Sequence, residues 1–311
     1  MLAPNLLPKA VPHDGPRLLP YLIVRLHRRV VEGLPPPDRA SQARPSGSAF
    51  RERGVLTLAI LAQWPRFRSE RDFWRFASSH LRPYFPALCS QSQLNRRIRA
   101  LEPELRLLQR SFAKDLAEPS AVYRVMDTTL VPAIVRVRAS RKGLFAGQAS
   151  FGRSASKTEW VYGFKVALVV DPAGVITAFG LAEASSDERP IAEALIASDR
   201  YDAYLADKGF TGIEWERRWL EQYGALVAAT PYDHSRRAWS KEDRRWASGK
   251  RQIIEGVIHQ LKDFFSVEGH RAKTLGGLLA RLAAKVAAYT CAQRLNDSLG
   301  RPKRQLADLL L

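Results

Sequence analysis

Three carboxylates stand far apart in a chain of 311 residues: Asp127 in "VMDTT", Asp207 in "LADKGF" and Glu255 in "RQIIEGVIHQLK". Each has an ordinary reading alone. Asp127 suits a strand-end turn, Asp207 opens a tight turn with Gly209 behind it, and Glu255 forms half of an i,i+4 pair with Arg251. Gathered in one place, they imply different chemistry. Like charges repel and raise one another's pKa, so three clustered acids call for a divalent cation. Mg²⁺, with Mn²⁺ as a substitute, takes carboxylate and phosphate oxygens. Two such ions against a phosphodiester activate an attacking water or 3′-hydroxyl and stabilise the leaving oxygen.

Other titratable residues fit this pattern less well. Asp171 belongs to the turn "DPAG", Asp187 starts a helix, and Asp263 points away from Glu255 around their shared helix. His259 and His270 lie beside apolar residues and read as structural, because hard Mg²⁺ rarely takes imidazole. Cys89 and Cys291 stand alone, outside any CxxC or Cys/His spacing, which fits a reduced cytoplasmic protein without structural zinc. No apolar run approaches the ~20 residues needed to span a bilayer.

The elements that must carry the acids follow from periodicity. "YRVMDTTLVP" reads as a strand ending near Asp127, and "EWVYGFKVALVV" and "VITAFGLAE" as two strands joined by "DPAG". "DERPIAEALIA" is a helix, "YDAYLAD" a strand ending at Asp207, "TGIEWERRWLEQYG" a helix closed by Gly224, and "ALVAAT" a fifth strand. A helix over Gly249–Phe265 follows, with Arg251, Glu255 and Lys262 in a stripe roughly 40° wide. This order matches an α/β, RNase H-like fold: a mixed five-stranded sheet with flanking helices. There the first and fourth strands are neighbours, so Asp127 and Asp207 lie side by side and Glu255 faces them. The last long helix, "GGLLARLAAKVAAYTCAQRLN", reads as core.

Before this unit, residues 1–48 hold nine of the 19 prolines and read as a flexible leader. Residues 49–118 read as a small helical N-terminal domain with a DNA-binding role, residues 119–299 as the catalytic domain and 300–311 as a tail. The net charge of +18 calls for a polyanionic partner, with nucleic acid first. Arg96 and Arg97 in "NRRIRAL" suit a helix that approaches a DNA groove, or a solvated face. Arg136, Arg138, Arg141 and Lys142 belong to a basic loop extending to Lys157 that suits a DNA clamp, or a solvated loop in a generally basic protein. Trp239 and Trp246, interleaved with basic residues before the catalytic helix, suit base stacking or packing of the loop onto the core.

Residues from about 120 to 295 resemble the catalytic core of bacterial insertion-sequence transposases of the DDE type. "VMDTT" resembles the first Asp motif, "WVYGFKVALVVDPAGVITAFGL" the Tyr-Gly-Phe/Tyr-Lys strand pair that includes Lys165, and "LADKGFTG" the second Asp motif. Arg251, Glu255 and Lys262 supply the R, E and K of the Y-(2)-R-(3)-E-(6)-K signature, and Ser248 stands in place of its tyrosine. That departure points to a relative of the insertion-sequence four group, and "YFPALCSQSQLNRRI" hints at the nine-eighty-two group. The resemblance implies a Mg²⁺-dependent enzyme with Asp127, Asp207 and Glu255 as metal ligands and Arg251, Lys262 and Lys165 at the DNA. Its DNA comprises transposon ends and target, bound by a homodimer or larger assembly in the bacterial cytoplasm, at the nucleoid. An RNase H-like nuclease without strand transfer and a decayed transposase that only binds DNA are the competing readings.

Overall fold

A computed structural model describes residues 30, 52–65, 67–118, 120–134, 143–154, 159–232, 235 and 239–310. The described chain opens with helices α1 (Glu52–Leu61), α2 (Glu70–Phe76, running into a π-turn over Ala77–Leu81), α3 (Gln91–Ala100) and α4 (Glu102–Leu116). Ser90 caps α3 in a full capping box with Gln93. α3 and α4 are parted at Leu101, where the backbone leaves helical geometry, and Pro103 lies in the first turn of α4.

Six strands follow: β1 (Arg124–Pro132), β2 (Ser150–Ser154), β3 (Glu159–Val170), β4 (Ile176–Glu183), β5 (Ala203–Ala206) and β6 (Leu226–Ala229). Helix α5 (Glu188–Ser198) joins β4 to β5, and α6 (Ile213–Tyr223) joins β5 to β6. The sheet runs β2-β3-β1-β5-β6, with β4 also paired to β3. β3 is antiparallel to β1, β2 and β4, whereas β1, β5 and β6 are parallel neighbours. The sequence reading gave five strands; the sixth, β2, lies inside the stretch read as a basic loop. Its residues "SFGRS" are few and largely polar, so periodicity did not reveal it. It pairs with β3 along Glu159–Gly163, beyond the stretch covered by β4.

Gly163 sits where three segments meet. A Cβ there would stand 2.2 Å from the Val131 carbonyl oxygen and 2.7 Å from the Ala133 nitrogen, so only glycine permits β1 to approach.

The two faces of the sheet bury different partners. Met126, Ala167 and Val169 pack with Ala192, Leu195 and Ile196 of α5 and Trp219 of α6. Val125, Val131, Val166, Leu168 and Val170 face helices α7 (Lys241–Asp263) and α8 (Leu275–Ser298). Ile254, Val257 and Leu261 of α7 are fully buried there, each worth ~1.5–3 kcal/mol relative to exposure. α8 is buried nearly all round, and its alanines allow α4 to pack closely. The same core includes Leu56, Phe73, Leu94, Leu105 and Phe112, so packing runs without a break from α1–α4 into the sheet. Among the described residues no helix is long and apolar enough to cross a membrane.

Candidate active site

β1 does not stop at Asp127 as the sequence reading had it, but runs on to Pro132. The parting of the sheet is what opens a site here. β5 pairs with β1 only at Arg124 and Val125, and ends at Ala206. Past that point β1 keeps β3 on one edge, with Asp127 opposite Leu168. The same parallel offset carried two residues on sets Asp127 beside Asp207, where β5 turns into a 3₁₀ segment over Lys208–Phe210. Ligand sites in open α/β sheets form outside such carboxyl ends.

Helix α7 crosses this parting and supplies the joining side chain. Arg251 Nη1 donates to Asp207 Oδ1 at 3.1 Å, and Nη2 donates to Asp127 Oδ2 at 3.4 Å. The guanidinium therefore bridges both carboxylates, a geometry for which its planar fork is suited. Its side chain is 13% exposed, against 19% for Asp127 and 42% for Asp207. Arg251 Nε is buried without a hydrogen-bond partner among the described residues. The other Asp127 oxygen, Oδ1, accepts the Thr128 backbone N–H at 2.7 Å.

Burial dominates the electrostatics of Asp127. It pushes the carboxyl from 3.8 up to about 6, against the opposing effects of the Thr128 amide and Arg251, while Asp207 and Glu188 add to the rise. Burial thus disfavours the charged form of Asp127 even beside Arg251, and a further cation next to it would favour that form.

Helix α7 begins at Lys241, capped by Ser240, well before the expected Gly249. Gly249, a poor helix former, hid this extension. Trp246 is therefore a helix residue, 53% exposed, with its ring 6.2 Å from that of Tyr123. Trp239 is half-buried just before the helix. Glu255 lies one turn beyond Arg251 and is exposed. The Arg251–Glu255 pair suggested by spacing does not form, since Arg251 turns to the two aspartates. Lys262 pairs with Glu268 at 2.8 Å. Among the described residues no group of three or more His, Cys, Asp or Glu side chains stands close enough to hold a metal ion. Asp127 and Asp207 are brought together; Glu255 is carried on the right helix but stays outside their cluster.

Of the other sequence-derived contacts, Lys165 lies on the α5 face of the sheet. It donates to the Ser186 carbonyl at 2.8 Å and pairs with Glu188 at 3.4 Å. Arg96 is exposed and Arg97 half-buried on α3. Arg136, Arg138, Arg141, Lys142 and Lys157 lie outside the described residues. His270 is structural, as read: its Nδ1 accepts from the Ala272 amide and its Nε2 meets the Pro132 carbonyl, and burial pushes it down to about 4. Sequence reasoning overlooked Glu188 and Thr128. An acid in the first turn of a helix, next to the N-cap Asp187, reads simply as a complement to the helix dipole.

Residues 118–275, which carry both aspartates, Arg251 and Glu255, match the family described as Transposase DDE domain. The chain belongs to this DDE transposase family. No curated protein matches it. Membership gives the transposase a DNA substrate and a role in DNA recombination, and DDE transposases generally use divalent metal ions. Asp127 and Asp207 fit such an ion: both are hard oxygen donors, and one guanidinium holds them adjacent.

Proposed function

We propose that this transposase binds the terminal inverted repeats of an insertion sequence, hydrolyses the phosphodiester bond at each end and joins the freed 3′-hydroxyl to target DNA. The observation that carries the reading is the bridge from Arg251 to Asp127 and Asp207 where β5 ends beside its parallel neighbour β1. It supports Asp127 and Asp207 as the core metal ligands, with Glu255 supplying the third carboxylate from one turn further along α7. Mg²⁺ is the expected ion, and Mn²⁺ replaces it.

A bound divalent ion supplies Lewis-acid activation of the attacking oxygen and stabilisation of the leaving one. The chain's own residues arrange the rest. The Thr128 amide fixes one oxygen of Asp127, leaving Oδ2 toward Asp207 and Arg251. Arg251 balances the aspartates and positions a phosphate through its planar donors. In hydrolysis, water oxygen bonds to phosphorus, the P–O3′ bond breaks and the 3′-oxygen takes a proton. In joining, that 3′-hydroxyl attacks a target phosphodiester and a target 3′-oxygen leaves, so bonds broken and formed balance and no protein–DNA bond is needed.

DNA contacts are assigned to Arg251 and Lys262 near the reacting phosphate, Trp239 and Trp246 beside it, and Arg96 and Arg97 on the helical segment 49–118, proposed as the end-binding region. Lys165, held by Glu188, serves the site from behind. The element is a relative of the insertion-sequence four group, and end pairing calls for a dimer. The test incubates the purified chain with Mg²⁺ or EDTA on a plasmid carrying the DNA that flanks its gene, and sequences new 3′ ends and joined products. Mg²⁺-dependent cuts at paired repeats with joined products support the reading; cuts without joining would reduce the protein to a nuclease, and binding without cuts would make it a decayed relative.

A further inference from the structure

Glu188 touches three segments that no catalytic role yet connects. From the first turn of α5 its Oε1 accepts the Thr128 hydroxyl at 2.6 Å and meets Lys165 Nζ at 3.4 Å. Its Oε2 lies over Gly209, two residues past Asp207, where an added Cβ would stand 1.8 Å away. The three atoms nearest to that imagined Cβ all belong to Glu188, and Gly209 has no positive φ that would itself require glycine. Space for the Glu188 carboxylate is therefore what glycine provides here.

The contacts form a relay. Thr128 faces α5 and its hydroxyl is fixed by Glu188, while its amide holds Asp127 Oδ1 on the α7 face. Because successive residues of a strand point to opposite faces, fixing Thr128 fixes the orientation of Asp127 through the intervening backbone. Packing on Gly209 sets the turn that follows Asp207. Lys165 pairs with Glu188 and offsets part of its charge.

We propose that Glu188 is a positioning residue for both aspartates, acting on Asp127 through Thr128 and on Asp207 through Gly209. It rests on the transposase site proposed above. Groups that orient metal ligands typically cost about 10–100-fold in metal affinity or activity when removed, and that is the loss expected for Glu188→Ala.

The experiment compares wild type, Glu188→Ala, Glu188→Gln, Gly209→Ala and the double variant Glu188→Ala/Gly209→Ala. It measures single-turnover cleavage of end DNA, end-DNA affinity, Mn²⁺ affinity by electron paramagnetic resonance, and thermal unfolding. Glu188→Ala should slow cleavage and weaken Mn²⁺ binding while end affinity holds. Glu188→Gln, which retains an acceptor for Thr128, should recover most of that loss. Gly209→Ala, by displacing the carboxylate, should reproduce it, yet cost nothing more when added to Glu188→Ala. The proposal is overturned by wild-type cleavage and Mn²⁺ affinity in Glu188→Ala, by equal losses from Gly209→Ala in both backgrounds, or by losses that merely follow the folded fraction. If wild type does not cut, the functional reading fails instead, and the Mn²⁺ affinities alone decide the relay.

Discussion

Arg251 and Asp127 lie 124 positions apart in the chain and meet at 3.4 Å, with Asp207 held by the same guanidinium at 3.1 Å. A helix from the end of the catalytic unit thus closes onto a strand from its beginning. The contact defines the site, because it is the only observed side-chain link between the two aspartates among the described residues.

Replacing Arg251 tests this link directly. Arg251 opposes the rise in the Asp127 pKa, so Arg251→Ala should let that pKa climb further. The acid limb of the cleavage pH profile should move to higher pH in Arg251→Ala. Arg251→Lys should show an intermediate shift, since a single ammonium cannot present two parallel donors. An unchanged acid limb in both variants would sever Arg251 from the chemistry.

Asp127 should trade stability for function. Its folded pKa of about 6 exceeds the unfolded 3.8, so the folded chain holds this proton more tightly and stability falls as pH rises between those values. Above about pH 6 the penalty is constant. His270 acts oppositely, because burial depresses it from 6.5 to about 4 and its contribution is lost as pH falls through that window. The difference between wild type and Asp127→Asn cancels His270. Urea unfolding should show Asp127→Asn gaining on wild type from pH 4 to 6, reaching about 3 kcal/mol at ~1.4 kcal/mol per pKa unit, while cleavage is abolished. A difference independent of pH would mean that Asp127 is not strained by burial.

Much of this arrangement was legible beforehand because it rests on local signals. Alternation marked β1, β3 and β4, the left-handed Gly224 closed α6, and the motif spacing singled out Arg251 with both aspartates. What escaped was non-local. β2 exists through its pairing with β3, not through its own composition, and Glu188 gains its role from three segments that only folding brings together. The start of α7 was missed for a local reason, since a mid-helix Gly249 mimics a boundary. The expected Arg251–Glu255 pair failed because a partly buried carboxylate pair outcompetes an exposed one for the same guanidinium.

Gly163 offers a test of the sheet alone. An added methyl would meet the Val131 carbonyl oxygen at 2.2 Å, with backbone rather than a flexible side chain in its path. Gly163→Ala should lose at least about 1–3 kcal/mol, the usual cost of overpacking, seen as a lower thermal midpoint. A midpoint within error of wild type would show that β1 and β3 separate freely there.

Trp246 is more than half exposed on α7, with its ring 6.2 Å from that of Tyr123, so its truncation removes little buried surface. Trp246→Ala should keep the wild-type thermal midpoint and lose end-DNA affinity, by ~1–3 kcal/mol if one base stacks on it. Fluorescence quenching by end DNA in wild type, absent from Trp246→Ala, would locate the contact. Loss of thermal stability with unchanged affinity would instead assign the ring to packing.

Glu255 remains the acid on which the three-carboxylate reading turns. It is exposed, makes no ion pair with a described residue and stands one turn from Arg251, so metal-free stability should not depend on its charge. Glu255→Gln should therefore keep the wild-type thermal midpoint, yet abolish Mg²⁺-dependent cleavage while end-DNA binding survives. The combination is informative because neither half alone is: an inert but destabilised variant has lost its fold, and a stable, fully active one shows that Asp127 and Asp207 suffice. Only a stable, DNA-binding and inactive Glu255→Gln places this carboxylate among the metal ligands.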